Sequence, residues 1–124
     1  MAFRFEGLEV FQLAIDFAKT SYQMTKSFPR EEIFGLTANL RRAATSVALN
    51  IAEGSGRGTR RDFMHFIDVA QGSVFETIAS FILAERLGYL DQKDLENMRE
   101  QADKLGRKLS SLERSLSDAI SDPR

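Results

Sequence analysis

Five arginines lie within one short stretch of this 124-residue chain, and together they could hold an anion. They are Arg41, Arg42, Arg57, Arg60 and Arg61. The planar guanidinium group donates two parallel hydrogen bonds to a phosphate or to a carboxylate. The stretch from the first to the last of them contains one carboxylate, Glu53, so it is positive although the whole chain carries a net charge of −1. This pattern predicts contact with an anionic partner, RNA or DNA.

A glycine-rich segment, EGSGRG at 53–58, lies between the two groups of arginines. Backbone N–H groups in such a segment, with the positive end of a following helix, attract phosphate. It is not a Walker A loop, because no Lys-Ser/Thr follows it and no strand is predicted before it. An interhelical turn that needs glycine for its backbone geometry explains the same residues, so both interpretations stay open.

The arginine pair Arg41-Arg42 has a structural explanation of equal weight. Guanidinium groups there could form ion pairs with acidic residues such as Glu31, Glu32 or Glu76, within one subunit or between subunits. In that case the protein is a protein-binding or scaffold oligomer and not a nucleic-acid binder.

A set of polar residues recurs at helical spacing among apolar ones: Ser46, Asn50 and Glu53, and later Glu76. Buried polar groups at such positions typically form a hydrogen-bond cluster that fixes how helices or subunits fit together. Two carboxylates without a nearby histidine, metal cluster or activated nucleophile are not typical of an enzyme. We therefore predict a structural polar cluster and no catalytic residues.

His65 is the single histidine, and Arg60 precedes it by five residues. This spacing matches a short Arg–His pattern in a class of helical, metal-independent RNases, which makes an RNase a remote alternative. A surface histidine beside Asp62 or Asp68 is the favoured interpretation, and a metal site formed by these three residues is less favoured still. The chain contains no cysteine. We predict no metal and no cofactor.

Four helices are needed to position these residues. Apolar residues at three- and four-residue steps predict a first helix at about 8–26 and a third at about 60–87, capped by Thr59 and closed by Gly88. Between them, Thr37 is the expected N-cap of a helix that ends at Gly54-Ser55-Gly56, where glycine would adopt the left-handed conformation. A heptad seam after the N-cap Asp91 predicts a fourth helix that runs almost to the end of the chain.

Short connections between long helices predict an all-α, up-and-down four-helix bundle forming a single domain over residues 1–124, with a short frayed tail at about 121–124. The first and third helices carry more apolar surface than one core-facing stripe requires. On the first helix two apolar stripes lie side by side, one with Leu8, Phe11, Ile15, Ala18 and Tyr22 and the other with Val10, Ala14, Phe17, Met24 and Phe28; on the third helix, Gly72, Ala79 and Leu83 mark a second stripe beside the core-facing one. We expect the surplus apolar surface on these two helices to form contacts in a homo-oligomer. Neither a signal-peptide pattern nor an uninterrupted apolar run of membrane-spanning length is evident, so a cytoplasmic protein without a membrane partner is expected.

The segment 40–76, LRRAATSVALNIAEGSGRGTRRDFMHFIDVAQGSVFE, resembles the signature of the four-helix bundle proteins related to bacterial 23S rRNA intervening-sequence proteins. The resemblance covers nearly the whole chain and extends to LGYL at 87–90. It implies a homopentameric ring without enzymatic activity. The chain is also similar to the accessory variability protein of diversity-generating retroelements, which implies nucleic acid and a reverse transcriptase as partners. Carried over to this sequence, nucleic-acid binding would rest on the five arginines.

Overall fold

A computed structural model of the protein describes residues 2–121 and shows an all-α fold, with no strand in that range. The four helices are α1 (Glu9–Thr25), α2 (Leu36–Ser55), α3 (Arg60–Arg86) and α4 (Gln92–Ser121). Short 3₁₀ helices at Arg4–Gly7 and Arg30–Glu32 precede α1 and α2. The four predicted helices are confirmed. Of the expected tail, Ser121 is the last residue of α4, and 122–124 lie outside the described residues.

The helices form a bundle in which each one packs against its neighbours along the chain, and α4 closes the arrangement against α1. Across the described residues α1 and α3 do not contact each other, so they lie diagonally opposite. All four helices contribute to one core, whose largest fully buried side chains include Phe17, Phe81, Leu40, Ile51, Ile67, Met98, Leu105 and Leu109. Burial of large apolar side chains from every helix is the main contribution to the stability of such a bundle.

Three of the predicted helix boundaries are confirmed in atomic detail. The Thr59 hydroxyl accepts a hydrogen bond from the Asp62 backbone N–H at 3.1 Å, and Asp91 caps α4 in the same way through the N–H of Asp94 at 2.8 Å. Gly88 follows α3 with a φ of 82°, in the left-handed region that glycine adopts without strain. These signals lie within a few residues of the boundary they define, which is why the sequence predicted them correctly.

The predicted N-cap of α2 is wrong. The helix begins at Leu36, one residue before Thr37, and Thr37 is buried inside its first turn with an Oγ1 atom that has no hydrogen-bond partner. The cap is supplied from outside the helix, because Glu32 accepts a hydrogen bond from the backbone N–H of Leu36 at 3.1 Å. The other carboxylate oxygen of Glu32 accepts one from the Tyr89 hydroxyl at 2.9 Å, which ties this end of the bundle together.

The expected left-handed glycine at the end of α2 is also wrong. Gly56 has a φ of −89°, and the one described residue with a positive φ is Gly88. Gly54 lies within the last turn of α2, where a Cβ atom would come within 2.7 Å of the Phe66 Cβ and 2.9 Å of the Phe63 Cδ1. Glycine is needed here for the close approach of two helices and not for a turn.

One apolar stripe on each of α1 and α3 faces the core, and part of the other lies on the outside of the bundle, although Leu8 and Phe11 still pack against the core. On α1, Val10, Ala14 and Phe17 face the core, whereas Ile15 and Tyr22 are 42% and 44% exposed. We call Ile15, Ala18 and Tyr22 the outer face of α1. On α3, Gly72, Ala79 and Leu83 form an outer face, with Leu83 half exposed and Phe75 beside it 75% exposed. Because α1 and α3 are diagonally opposite, the two faces are separate surfaces of the bundle.

The second apolar face makes α3 unusually apolar overall. By length and composition it could cross a membrane, since an 18-residue window has a mean hydropathy of 1.4, and a third of that window is buried. Any such window contains Glu76. In the bundle α3 packs against α2 and α4. One buried face together with one exposed apolar face accounts for this composition.

Candidate nucleic-acid interface

The connection between α2 and α3 brings arginines to one end of the bundle. The close approach at Gly54 sets α2 against the first turns of α3, and the Thr59 cap starts α3 at Arg60. Arg60 and Arg61 therefore occupy the first turn of a 27-residue helix. The N-terminus of a helix carries about half a positive elementary charge, and these side chains add to it. This end of α3 is electrostatically suited to an anion.

Arg4 joins this end from a distant part of the chain. Its guanidinium donates a hydrogen bond to the backbone carbonyl of Ser55, the last residue of α2. The 3₁₀ helix at Arg4–Gly7 packs against α1 and α2 and fixes this position. Sequence analysis missed Arg4, because no motif links it to a residue 51 positions away.

An open pocket of about 760 Å³ lies between these arginines and the C-terminal part of α4. Arg4, Arg57, Arg60 and Arg61 line it on one side, and no carboxylate of the described residues does so. Its apolar lining consists of Leu8, Phe63, Leu116 and Ile120. We call it the arginine pocket. The heptad seam of α4 is fully buried as far as Leu109 and only half-buried at Leu116, which leaves apolar surface for the pocket.

Arg57 is held in place by two contacts. Its guanidinium forms an ion pair with Glu53 one helical turn earlier, at 2.9 Å, and lies over the Phe66 ring at 4.8 Å from the centroid. Both charged side chains are about half exposed, so the pair contributes little to stability. The stacking orients the guanidinium at the edge of the pocket without removing it from solvent.

The other two arginines lie elsewhere, so the five do not form a single patch. Arg41 donates to the Thr25 hydroxyl at 2.8 Å and stacks over the Tyr22 ring at 4.7 Å, which joins α1 to α2. Arg42 forms an ion pair with Glu76 on α3 at 2.8 Å, as one of the sequence-based alternatives supposed. Both are far along α2 from the pocket and already have partners in their own chain.

The predicted polar cluster is present in part. Asn50 donates to the backbone carbonyl and the hydroxyl of Ser46 at 2.8 and 2.9 Å, and Ser46 is hydrogen-bonded to Ser73 on α3 at 2.9 Å. Ser73 was not predicted. Glu53 and Glu76 do not join this cluster, because each forms an exposed ion pair with an arginine. The cluster links α2 to α3, with Ser46 and Asn50 half-buried and Ser73 buried.

His65 and Arg60 do not line a common pocket. His65 lies with Arg61, Asp68 and Ser117 in a smaller pocket of about 390 Å³, and its ring packs edge-on against Phe66. Arg60 lines the arginine pocket. Among residues 2–121 no three His, Cys, Asp or Glu side chains are grouped so as to hold a metal ion.

Two carboxyl groups, Asp68 on α3 and Glu113 on α4, lie close enough to each other to interact. The hydrogen bond to Asp68 raises the pKa of Glu113 to about 7, and burial and the negative charge of Asp68 act in the same direction. A carboxyl group that keeps its proton near neutral pH can donate to a second carboxylate. We therefore expect the α3–α4 packing to depend on pH.

Comparison with known proteins identifies a family and a solved structure that the chain resembles. Residues 6–111 match the sequence model of a family described as 23S rRNA-intervening sequence protein. Among solved structures, the chain is similar to a protein of unknown function from the S23 ribosomal protein family of Bacteroides thetaiotaomicron, with a TM-score of 0.74. The two are 22% identical, and the match covers 83% of this chain and 96% of that chain, which shows a common fold. Comparison with curated proteins gave no significant match.

Proposed function

This chain belongs to the 23S rRNA-intervening sequence protein family, and we propose that it is a non-enzymatic, homo-oligomeric protein that binds RNA or another nucleic acid. The observation that carries the proposal is the arginine pocket, where four guanidinium groups surround the N-terminus of α3. Within the described residues, neither Arg60 nor Arg61 forms an ion pair. Their charge is therefore available to phosphate.

The interface proposed here differs from the one expected from the sequence. Arg4, Arg57, Arg60 and Arg61 contact phosphate, whereas Arg41 and Arg42 stabilise the packing of α2 against its neighbours. Contacts to phosphate position a nucleic acid without reading its sequence. Each subunit of an oligomer contributes one such pocket, so weak individual sites reinforce one another.

The test is a salt series of binding measurements on the wild-type protein and on a double variant, Arg60→Glu with Arg61→Glu. Log affinity for duplex DNA should fall linearly with log salt by about 0.9 for each phosphate neutralised. The variant should bind more weakly and with a shallower slope, because at least two phosphate contacts are lost.

The matched control is Arg107→Glu with Arg114→Glu, an identical change of charge on α4 at residues that line a different pocket. It should retain most of the affinity. Equal losses in the two variants would mean that net charge alone matters, and absence of binding by the intact protein at low salt would refute the proposal.

A second candidate is a scaffold oligomer, favoured by the two exposed apolar faces, one on α1 and one on α3. In this case Arg42 acts by neutralising Glu76, which lies beside the outer face of α3. Arg42→Ala should then reduce the mass of the oligomer, measured by light scattering. Adding nucleic acid should leave the mass of the wild-type oligomer unchanged. A reverse transcriptase or another protein partner remains a prediction from the resemblance.

We propose no catalytic role for His65. The remote RNase alternative requires Arg60 and His65 to act together, whereas in the structure His65 packs against Phe66 and Arg60 lines the arginine pocket. It predicts cleavage of RNA that resists EDTA and disappears in His65→Ala, whereas our proposal predicts no cleavage by either protein.

A further inference from the structure

The arginine pocket has an apolar lining that phosphate contacts leave unused. Leu8, Phe63, Leu116 and Ile120 contribute apolar side chains to its lining, beside the guanidinium groups. Its volume of about 760 Å³ is within the range of sites that enclose small organic groups, which are mainly apolar with a few placed polar groups. A patch for phosphate alone would not need these apolar side chains.

A duplex cannot use this lining. Its bases are stacked inside the double helix, so it presents phosphates and base edges to a protein. An unpaired base in a single strand or a loop exposes its faces, and proteins bind such bases by stacking and apolar contact while cationic groups hold the flanking phosphates. The pocket combines both features within one site.

We infer that the arginine pocket accommodates one unpaired base of a single-stranded nucleic acid, with the arginines on the phosphates at either side. Phe63 supplies an aromatic ring to the pocket. The same ring lies against Gly54, so a larger residue at position 54 would displace the ring. Leu116 and Ile120 close the opposite side from α4. This inference rests on the proposed nucleic-acid binding and adds the class of ligand.

The experiment compares three fluorescent probes with the same number of phosphates: a single-stranded oligonucleotide, an abasic strand, and a fully paired duplex. The single strand should bind about tenfold or more tightly than the abasic strand, which is the effect of one well-stacked base. Both strands should show the same salt dependence, because their phosphates are alike.

Variants locate the effect. Leu116→Ala should weaken binding of the single strand severalfold and leave the abasic strand unaffected. The control is Leu112→Ala, a substitution of the same kind one turn earlier on α4, which does not line the pocket and should change neither affinity.

The outcomes separate the two proposals. Equal affinity for the single strand and the abasic strand, with a normal salt slope, would overturn the inference and leave nucleic-acid binding intact. Tighter binding of the duplex would also overturn it. Failure of all three probes to bind at low salt would remove the proposed function and this inference together.

Discussion

Gly54 is the residue on which the geometry of the candidate interface most depends. It lies in the last turn of α2, and its missing side chain lets Phe63 and Phe66 of α3 approach the α2 backbone. An added Cβ would meet the Phe66 Cβ at 2.7 Å, and that atom is fixed by the α3 backbone and cannot swing away. The two helices would have to move apart where the arginines are positioned.

We therefore expect Gly54→Ala to lower the free energy of unfolding by about 1–3 kcal/mol, the usual cost of overpacking. Gly106→Ala is the matched control: its Cβ would lie 3.5 Å from the nearest atom, and alanine should stabilise a helix interior by about 0.5–1 kcal/mol. Urea unfolding at one protein concentration measures both. If Gly54→Ala were as stable as the wild type, the close approach of α2 and α3 would not determine how the two helices pack at the end of the bundle that carries the arginine pocket.

Single residues also show what could and could not be predicted from the sequence. Thr59, Asp91 and Gly88 were predicted correctly because each acts on backbone within three to five residues of itself. Thr37 was assigned wrongly, because the cap of α2 comes from Glu32, which Tyr89 holds from 57 positions away. Such a contact exists only once the chain has folded.

At the scale of elements, periodicity predicted the helices well and the candidate site only in part. Apolar spacing identified all four helices and the second faces on α1 and α3. It did not show that Arg41 and Arg42 lie against α1 and α3, away from the other arginines. Nor could it bring Arg4 and the end of α4 into one pocket, because that requires the order in which the helices surround the core.

The packing of α3 against α4 should depend on pH through Glu113. Its pKa of about 7 in the folded protein exceeds the ordinary value of 4.5, so between these values the folded state holds a proton that the unfolded state releases. The free energy of unfolding should therefore fall as the pH rises from about 4.5 to 7. This contribution to stability is fully present below that window and lost above it.

Glu113→Gln tests this dependence, because the neutral amide can still donate to Asp68 at any pH. Thermal unfolding should show the variant gaining stability relative to the wild type at pH 7.5 and little difference at pH 4.5. Asp118→Asn, at an exposed carboxylate on the same helix, serves as the control and should keep the wild-type pH dependence. Parallel curves for Glu113→Gln and the wild type would show that the carboxyl pair does not couple to folding.

At the scale of the whole molecule, the decisive feature is that the outer faces of α1 and α3 are two separate surfaces, carried by helices that are not neighbours in the bundle. Two copies joined through one face paired with itself would form a closed dimer and leave the other face exposed. Pairing the α1 face of one copy with the α3 face of the next covers both faces, and such head-to-tail contacts close into a ring when the rotation permits. We therefore expect a cyclic homo-oligomer, with the pentamer favoured by the family resemblance.

Mixing two disabled variants distinguishes these arrangements. Ile15→Lys places a charge on the α1 face, and Leu83→Lys places one on the α3 face, at positions 42% and 50% exposed in the single chain. In a head-to-tail ring each variant alone should be monomeric, because every contact needs one intact face of each kind. An equimolar mixture should form a heterodimer through the intact α3 face of one variant and the intact α1 face of the other, and it should grow no further. Light scattering measures the mass of each variant alone and of the mixture. Dimers in either variant alone would show that a face pairs with itself, and rings in both would place the subunit contact elsewhere on the bundle.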